Sequence, residues 1–223
     1  NLGSALSGCD LSWSTCANKL FYLAIPPEHY PTVLKNLAHS GLTVPCVNDE
    51  GWTRVIVEKP FGKNLATAQK LDALLGSLFQ EEQIYRIDHY LGKETVQNIL
   101  AFRFSNTLFE PAWHADAIEY IHIKIFETAD VGGRGAFYDG VGALRDVGQN
   151  HMLQLLALFT MQNPGEFSAA AVRAARISIL KSLTLISPAD MPTRARRGQY
   201  EGYIHERGVG PASTTETYFR ITA

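Results

Sequence analysis

Cysteine is scarce in this chain: Cys9, Cys16 and Cys46 are all there is, and no two of them stand in a C-x-x-C pair. That argues against a disulfide framework and a zinc knuckle, and it fits free thiols in a reducing compartment. Net charge is nearly absent, at −2, so nothing marks a nucleic-acid or membrane-surface partner. No apolar run approaches the roughly 20 residues that span a bilayer, and no signal peptide is visible. Internal repeats and low-complexity blocks are missing too. What remains is ordinary globular composition, 46% hydrophobic and 19% charged, in 223 residues, enough for one large domain or two small ones.

Residues 1–17 are rich in Ser, Gly, Cys and Ala and read as the tail of a helix or a disordered stretch. Lys19 to Ile25 is a short apolar run stopped by Pro26-Pro27, a buried strand. Glu28 to His39 follows with a helical period, Gly41 to Gly51 is a loop, and Thr53 to Glu58 is a second buried strand. Asn64 is placed to cap a helix reaching about Gln80. This strand–helix alternation predicts a parallel α/β sheet, with Pro26-Pro27 and Lys59-Pro60 at one edge, where ligands of such sheets bind.

Beyond Asp88 the pattern changes. Glu94 to Phe102 reads as a helix. Ile118 to Glu127 alternates Ile121, Ile123 and Ile125 with His122 and Lys124, as a half-buried strand does. Gly140 to Met161 reads as one long helix, Val172 to Leu183 as another, and Ser187 to Gly210, with Arg194, Arg196 and Arg197, as an exposed loop. The fold class is α/β plus α+β, with domains at residues 1–88 and 89–223 and a cleft expected at their junction.

The densest chemistry lies in Arg86-Ile87-Asp88-His89-Tyr90-Leu91-Gly92-Lys93-Glu94. An acid, an imidazole, a phenol and an ammonium in six positions can handle protons and hold an anion; a solvated loop, with Asp88 paired to Arg86, would carry the same residues. His151 suits a general base because imidazole titrates near neutrality, and it would equally serve as a helix histidine satisfied by a neighbour. Glu127 and Asp146 suit hydroxyl groups, although Asp146, five positions before His151, would point some 140° away on an α-helix. Two glycine groups mislead: Gly132-Gly133-Arg134-Gly135 follows a predicted strand but leads to Phe137-Tyr138-Asp139, not to a helix, and is not a full G-x-G-x-x-G, and Gly140-Val141-Gly142 opens a helix with no strand before it.

The Asp88–Lys93 string resembles the active-site signature of the glucose-6-phosphate dehydrogenase family. Four further blocks resemble that family in order and approximate spacing: Phe21 to Pro27, Val57 to Gly62, Gly133 to Asp139, and Arg145 to His151. The resemblance implies a partial Rossmann-like coenzyme domain over 1–88. Over 89–223 it implies a partial substrate and dimerisation domain with a mainly antiparallel sheet. It implies oxidation of glucose 6-phosphate to 6-phosphogluconolactone in the oxidative pentose phosphate pathway, with hydride passing to NADP. His151 would be the base and Asp88 its orienter. His89, Tyr90 and Lys93 would hold phosphate, Glu127 and Asp146 the sugar, and Lys59 both substrate and cofactor, with Pro26 and Pro27 on the cofactor side. No metal site is expected; a cytoplasmic homodimer or homotetramer is. The family's opening glycine-rich turn has no counterpart here, so a partial chain with incomplete cofactor contacts and little turnover is expected. The competing readings are a glucose–fructose oxidoreductase and a non-catalytic chain that binds sugar phosphate or a partner.

Overall fold

Three short strands run parallel in the order β1-β2-β3, formed by Lys19–Leu23, Thr53–Val57 and Ile84–Arg86. In this computed structural model, which describes residues 2–13, 16–44 and 51–223, the chain divides into two compact units, Asn1–Asp88 and His89–Ala223. In the first unit Phe21 pairs with Val55, and Val55 with Ile84. The predicted strands at 19–25 and 53–58 are both present. The third was not read from the sequence, since Ile-Tyr-Arg is too short to show a period. Thr53, Val55 and Val57 are buried, and with Leu23, Tyr30, Leu34, Leu37, Leu75, Phe79 and Ile84 they make the core. Each fully buried Val or Leu there contributes on the order of 1.5–3 kcal/mol.

Two helices cover the sheet's connections. Tyr30–His39 (α2) buries Tyr30, Leu34 and Leu37, the i, i+4, i+7 positions of one face. Leu65–Leu78 (α3) starts where predicted: the Asn64 side chain accepts the Thr67 N–H at 3.0 Å, and the Thr67 hydroxyl accepts the Asn64 N–H at 3.1 Å. This reciprocal box satisfies two backbone donors that the first turn leaves unpaired. Residues 2–13 form a further helix (α1, Leu2–Trp13), which settles the open reading of that stretch in favour of helix. Gly41 to Val44 continue as turn and bend, and the rest of the predicted loop, 45–50, lies outside the described residues, as does Cys46. Cys9 is free as expected, but Cys16 is disulfide-bonded. Local spacing could not forecast this, because a disulfide joins residues close in space and not in sequence.

In the second unit helices outnumber strands. Glu94–Phe104 (α4), Leu153–Thr160 (α6) and Ala169–Ser182 (α7) pack around Val96, Leu158 and Met161. Gly135–Tyr138 (α5) is a single turn following Gly132–Arg134, so a short helix does follow the first misleading glycine group. The predicted long helix at 140–161 divides: Leu144–Met152 is wound as a π-helix, which runs directly into α6. The Leu153 N–H reaches back five residues to the Gly148 carbonyl.

Two further expectations are overturned. The segment 118–127 keeps its alternation, with Ile121, Ile123 and Ile125 half-buried and His122 and Lys124 exposed, yet it is not a strand. A pleat becomes a strand only where a neighbour closes the ladder, and no ladder partner occurs among the described residues. The arginine cluster is not in a loop either. Arg194 ends a short helix (α8, Met191–Arg194), and Arg196 and Arg197 lie on β4 (Ala195–Gly198), paired antiparallel with β5 (Tyr218–Ile221) in the register Arg196–Arg220. No helix among the described residues is long and apolar enough to cross a membrane.

Candidate active site

In the first unit, β1 and β2 end side by side, and a hollow of about 320 Å³ opens at those ends. Tyr22, Ala24, Ile25, Pro26, Tyr30, Glu58 and Lys59 line it. Of the residues expected on the cofactor side, Pro26 and Lys59 therefore face this hollow, and Pro27 opens the adjoining helical turn, Pro27–His29. The two walls are tied together. The Tyr30 hydroxyl donates to the Glu58 carbonyl at 3.1 Å and accepts the Glu58 N–H at 3.2 Å, and the Tyr22 hydroxyl donates to the Glu58 carboxylate. Burial pushes the Tyr30 phenol above its ordinary range. Sequence reasoning missed Tyr22, Tyr30 and Glu58; the only signal was their position beside the proline pair and the Glu-Lys-Pro string.

The hollow fits one end of a nicotinamide dinucleotide and not the whole. Its volume suits a ring with its ribose, its apolar and aromatic walls suit a flat heterocycle, and Lys59 supplies a cation for a phosphate or hydroxyl oxygen.

Asp88 is the last residue of this unit and is half-buried. The bland alternative, pairing with Arg86, is not what Arg86 does. Its guanidinium bonds Asp72 at 2.6 Å and Glu81 at 3.1 Å.

The second unit gathers four of the expected residues. The Tyr90 and His151 rings stack with centroids 4.1 Å apart and planes 18° from parallel. His89 meets both edge-on, at 5.0 Å from Tyr90 and 4.7 Å from His151. The Lys93 ammonium lies 3.9 Å from the Tyr90 ring centroid, a cation–π contact. His151 is 1% exposed and comes from the π-helix; His89, Tyr90 and Lys93 come from the turn that leads into α4, closed by the Lys93 N–H on the Tyr90 carbonyl at 3.1 Å. Two imidazoles, a phenol and an ammonium can donate to an anion and accept a proton in one place.

The π-winding changes the relation between Asp146 and His151. On an α-helix five positions separate them by well over a quarter-turn, the divergence expected from the sequence. In a π-helix the hydrogen bonds join residues five apart and a turn takes more than four residues, so five positions overshoot a full turn by only about 50°. Asp146 and His151 thus share a side of the helix. Glu127 is exposed at the end of the extended segment. Both carboxylates act on one missed residue: burial first, then the charges of Asp146, Glu216 and Glu127, push the Tyr138 phenol up to about 12.

Comparison with known proteins adds a separate line of argument. Residues 1–98 match the family described as glucose-6-phosphate dehydrogenase, NAD binding domain, and residues 100–223 match its C-terminal domain. Glucose-6-phosphate 1-dehydrogenase 2 of Mycobacterium tuberculosis is 46% identical over 99% of this chain and 44% of its own length. The glucose-6-phosphate 1-dehydrogenase of Chlamydia trachomatis is 42% identical over 99% of this chain and 52% of its own. A crystal structure of the Mycobacterium avium enzyme superposes with a TM-score of 0.80 at 38% identity, covering 95% of this chain and 45% of that one. A glucose-6-phosphate dehydrogenase in complex with glucose 6-phosphate gives 0.78 at 38% identity, over 90% and 41%. The chain spans about half the length of the curated relatives it matches. With both of the family's domains matched end to end along its 223 residues, the chain belongs to the glucose-6-phosphate dehydrogenase family.

Proposed function

We propose that this chain supplies the substrate site and part of the coenzyme site of an enzyme that oxidises glucose 6-phosphate at C1, with NADP as the acceptor. The observation that carries the reading is the stack of Tyr90 on His151, with His89 at its edge and Lys93 over it. In this reading His89, Tyr90 and Lys93 take the phosphate. Each charge-assisted donor to a partly desolvated dianion is worth about 1.5–3 kcal/mol. Asp146 and Glu127 accept from sugar hydroxyls. His151 removes the proton of the C1 hydroxyl as the C1–H bond breaks and the C1 carbonyl of the lactone forms. Asp88 steadies the imidazolium that results.

Lys59, Pro26 and Pro27 would hold the coenzyme, with Lys59 also reaching the substrate. When bound there, the coenzyme would supply the acceptor for the hydride that leaves C1. The units 1–88 and 89–223 correspond in this reading to the coenzyme domain and to a substrate and dimerisation domain of an α+β kind, in a cytoplasmic homodimer or homotetramer. Family membership supports this reading over a glucose–fructose type of oxidoreductase.

Titration calorimetry of the chain with glucose 6-phosphate, glucose and inorganic phosphate tests the binding half. Glucose 6-phosphate should bind, phosphate should compete with it, and glucose alone should bind far more weakly. Binding of glucose as tight as that of its phosphate would overturn the assignment. For the chemistry, His151→Asn, made in an intact enzyme that contains this chain, should lower the rate of NADP reduction about a thousandfold with little change in substrate affinity, the usual scale for a lost general base. Near-normal turnover would remove His151 from that role.

A further inference from the structure

The π-helix is held at its start by a residue far along the chain. The Ala143 N–H donates to the Glu216 carbonyl at 2.9 Å, and the Leu144 N–H donates to the Glu216 carboxylate at 3.0 Å. Two N–H groups that the first turn leaves without helical partners are thereby satisfied. A carboxylate also complements the positive end of the backbone dipoles. The approach is possible only because residue 142 is glycine: its φ is +79°, and a Cβ there would collide with the Glu216 carboxylate.

The segment that carries Glu216 is itself tied down. The Asp139 carboxylate accepts from the Tyr203 hydroxyl at 3.0 Å, from the Gly210 N–H at 3.2 Å and from the Ser213 hydroxyl. The Thr215 hydroxyl donates to the Asp139 carbonyl, and the Thr217 N–H donates to the Gly198 carbonyl at 2.9 Å. Deeper along the π-helix, the Phe219 ring presses on Gly148, where a Cβ would fall 2.6 Å from it. The two halves of the helix are therefore held by different contacts. Glu216 fixes the first turn, which carries Asp146; Phe219 and the Tyr90 stack fix the second, which carries His151.

We infer that Glu216 is a positioning residue: through the Leu144 N–H it sets the first π turn so that the Asp146 carboxylate is presented to a sugar ring. This deepens the function proposed above and rests on it. Loss of the Glu216 side chain should loosen the grip on the sugar and spare the grip on phosphate, which belongs to His89, Tyr90 and Lys93.

The test compares the wild-type chain with Glu216→Ala and Glu216→Gln, using glucose 6-phosphate and inorganic phosphate as separate probes in calorimetry and amide exchange at Leu144 by NMR. A glutamine oxygen can still accept the Leu144 N–H. Glu216→Ala should raise the Kd for glucose 6-phosphate about fivefold, the factor that a lost cap of ordinary strength gives. Its Kd for phosphate should stay within about twofold, and exchange at Leu144 should accelerate. Glu216→Gln should restore both. Equal weakening of the two ligands, wild-type affinity in Glu216→Ala, or failure of glutamine to rescue would overturn the inference. A wild-type chain that binds phosphate but not glucose 6-phosphate would refute the parent reading instead; unchanged Leu144 exchange in Glu216→Ala would refute the clamp itself.

Discussion

Arg103→Met sets two opposing forces against each other at one buried site. Arg103 is 5% exposed, and its guanidinium donates to the Leu158 carbonyl at 2.7 Å and the Met161 carbonyl at 2.8 Å. These carbonyls lie at the end of α6, whose last turn lacks helical donors. The same helix end receives the Trp113 indole N–H, on the Phe159 carbonyl at 2.6 Å. Arg103 thus acts as a buried cap at the negative end of α6, and burial pulls its acidity toward release of the proton.

Replacing a buried charge with a hydrophobe of similar size can stabilise a protein, because the desolvation cost disappears. Here Met would keep the contact with Phe104 and Trp113, and the Arg103 Nε, which has no hydrogen-bond partner, would be gone. Against that stand two charge-assisted bonds, each worth about 1.5–3 kcal/mol, and two carbonyls left buried without donors. The carbonyls decide the balance, since methionine offers them nothing. The expected outcome is a net loss of about 3 kcal/mol, or a fall of roughly 10 °C in the melting temperature of this unit. Urea unfolding followed through Trp113 fluorescence, in a background with Trp13 and Trp52 changed to Phe, reads it directly. An unfolding midpoint at or above that of wild type would show that desolvation dominates and that the capping argument is wrong.

Two further outcomes follow from the hydrogen bonds and burial described above. Tyr30→Phe leaves both the N–H and the carbonyl of Glu58 without their partner; chemical denaturation should show a loss of about 2 kcal/mol in the first unit, and a change near zero would mean that water replaces the hydroxyl. Tyr138 and Tyr203, both pushed up to about 12 chiefly by burial, stay protonated in the fold after the unfolded chain begins to ionise near pH 10. Their contribution is complete below pH 10 and is lost as pH rises toward 12, so the second unit should lose stability across that window. Tyr138→Phe should flatten the decline, and a melting temperature that holds steady from pH 10 to 12 would contradict the burial argument.

Much of the first unit was legible because its signals are local. The apolar runs ending at Pro26-Pro27 and Lys59-Pro60, and the Asn64 cap, each depend on neighbours within a few positions. The strand Ile84–Arg86 escaped because three residues carry no period. In the second unit the deciding partners are remote. The alternation at 118–127 was real, but alternation describes a face and not the neighbour that must close it. Glu216 lies 72 positions from the Leu144 N–H that it receives. Of the site, the Asp88–Lys93 string announced its chemistry, and His89, Tyr90, Lys93 and His151 do meet. The relation between Asp146 and His151 could not be read, because nothing in the residues 144–152 distinguishes a five-residue ladder from a four-residue one.

That widened winding makes chain length itself a control on chemistry. Excising a single residue between Asp146 and His151 would let the segment tighten to the usual pitch while α6 and everything after it stayed in register. The carboxylate and the imidazole would then stand four apart on an α-helix, about 40° round the axis, and would still share a side. Winding and residue number are thus matched: the present five-residue spacing, rewound at the usual pitch, would set the two about 140° apart.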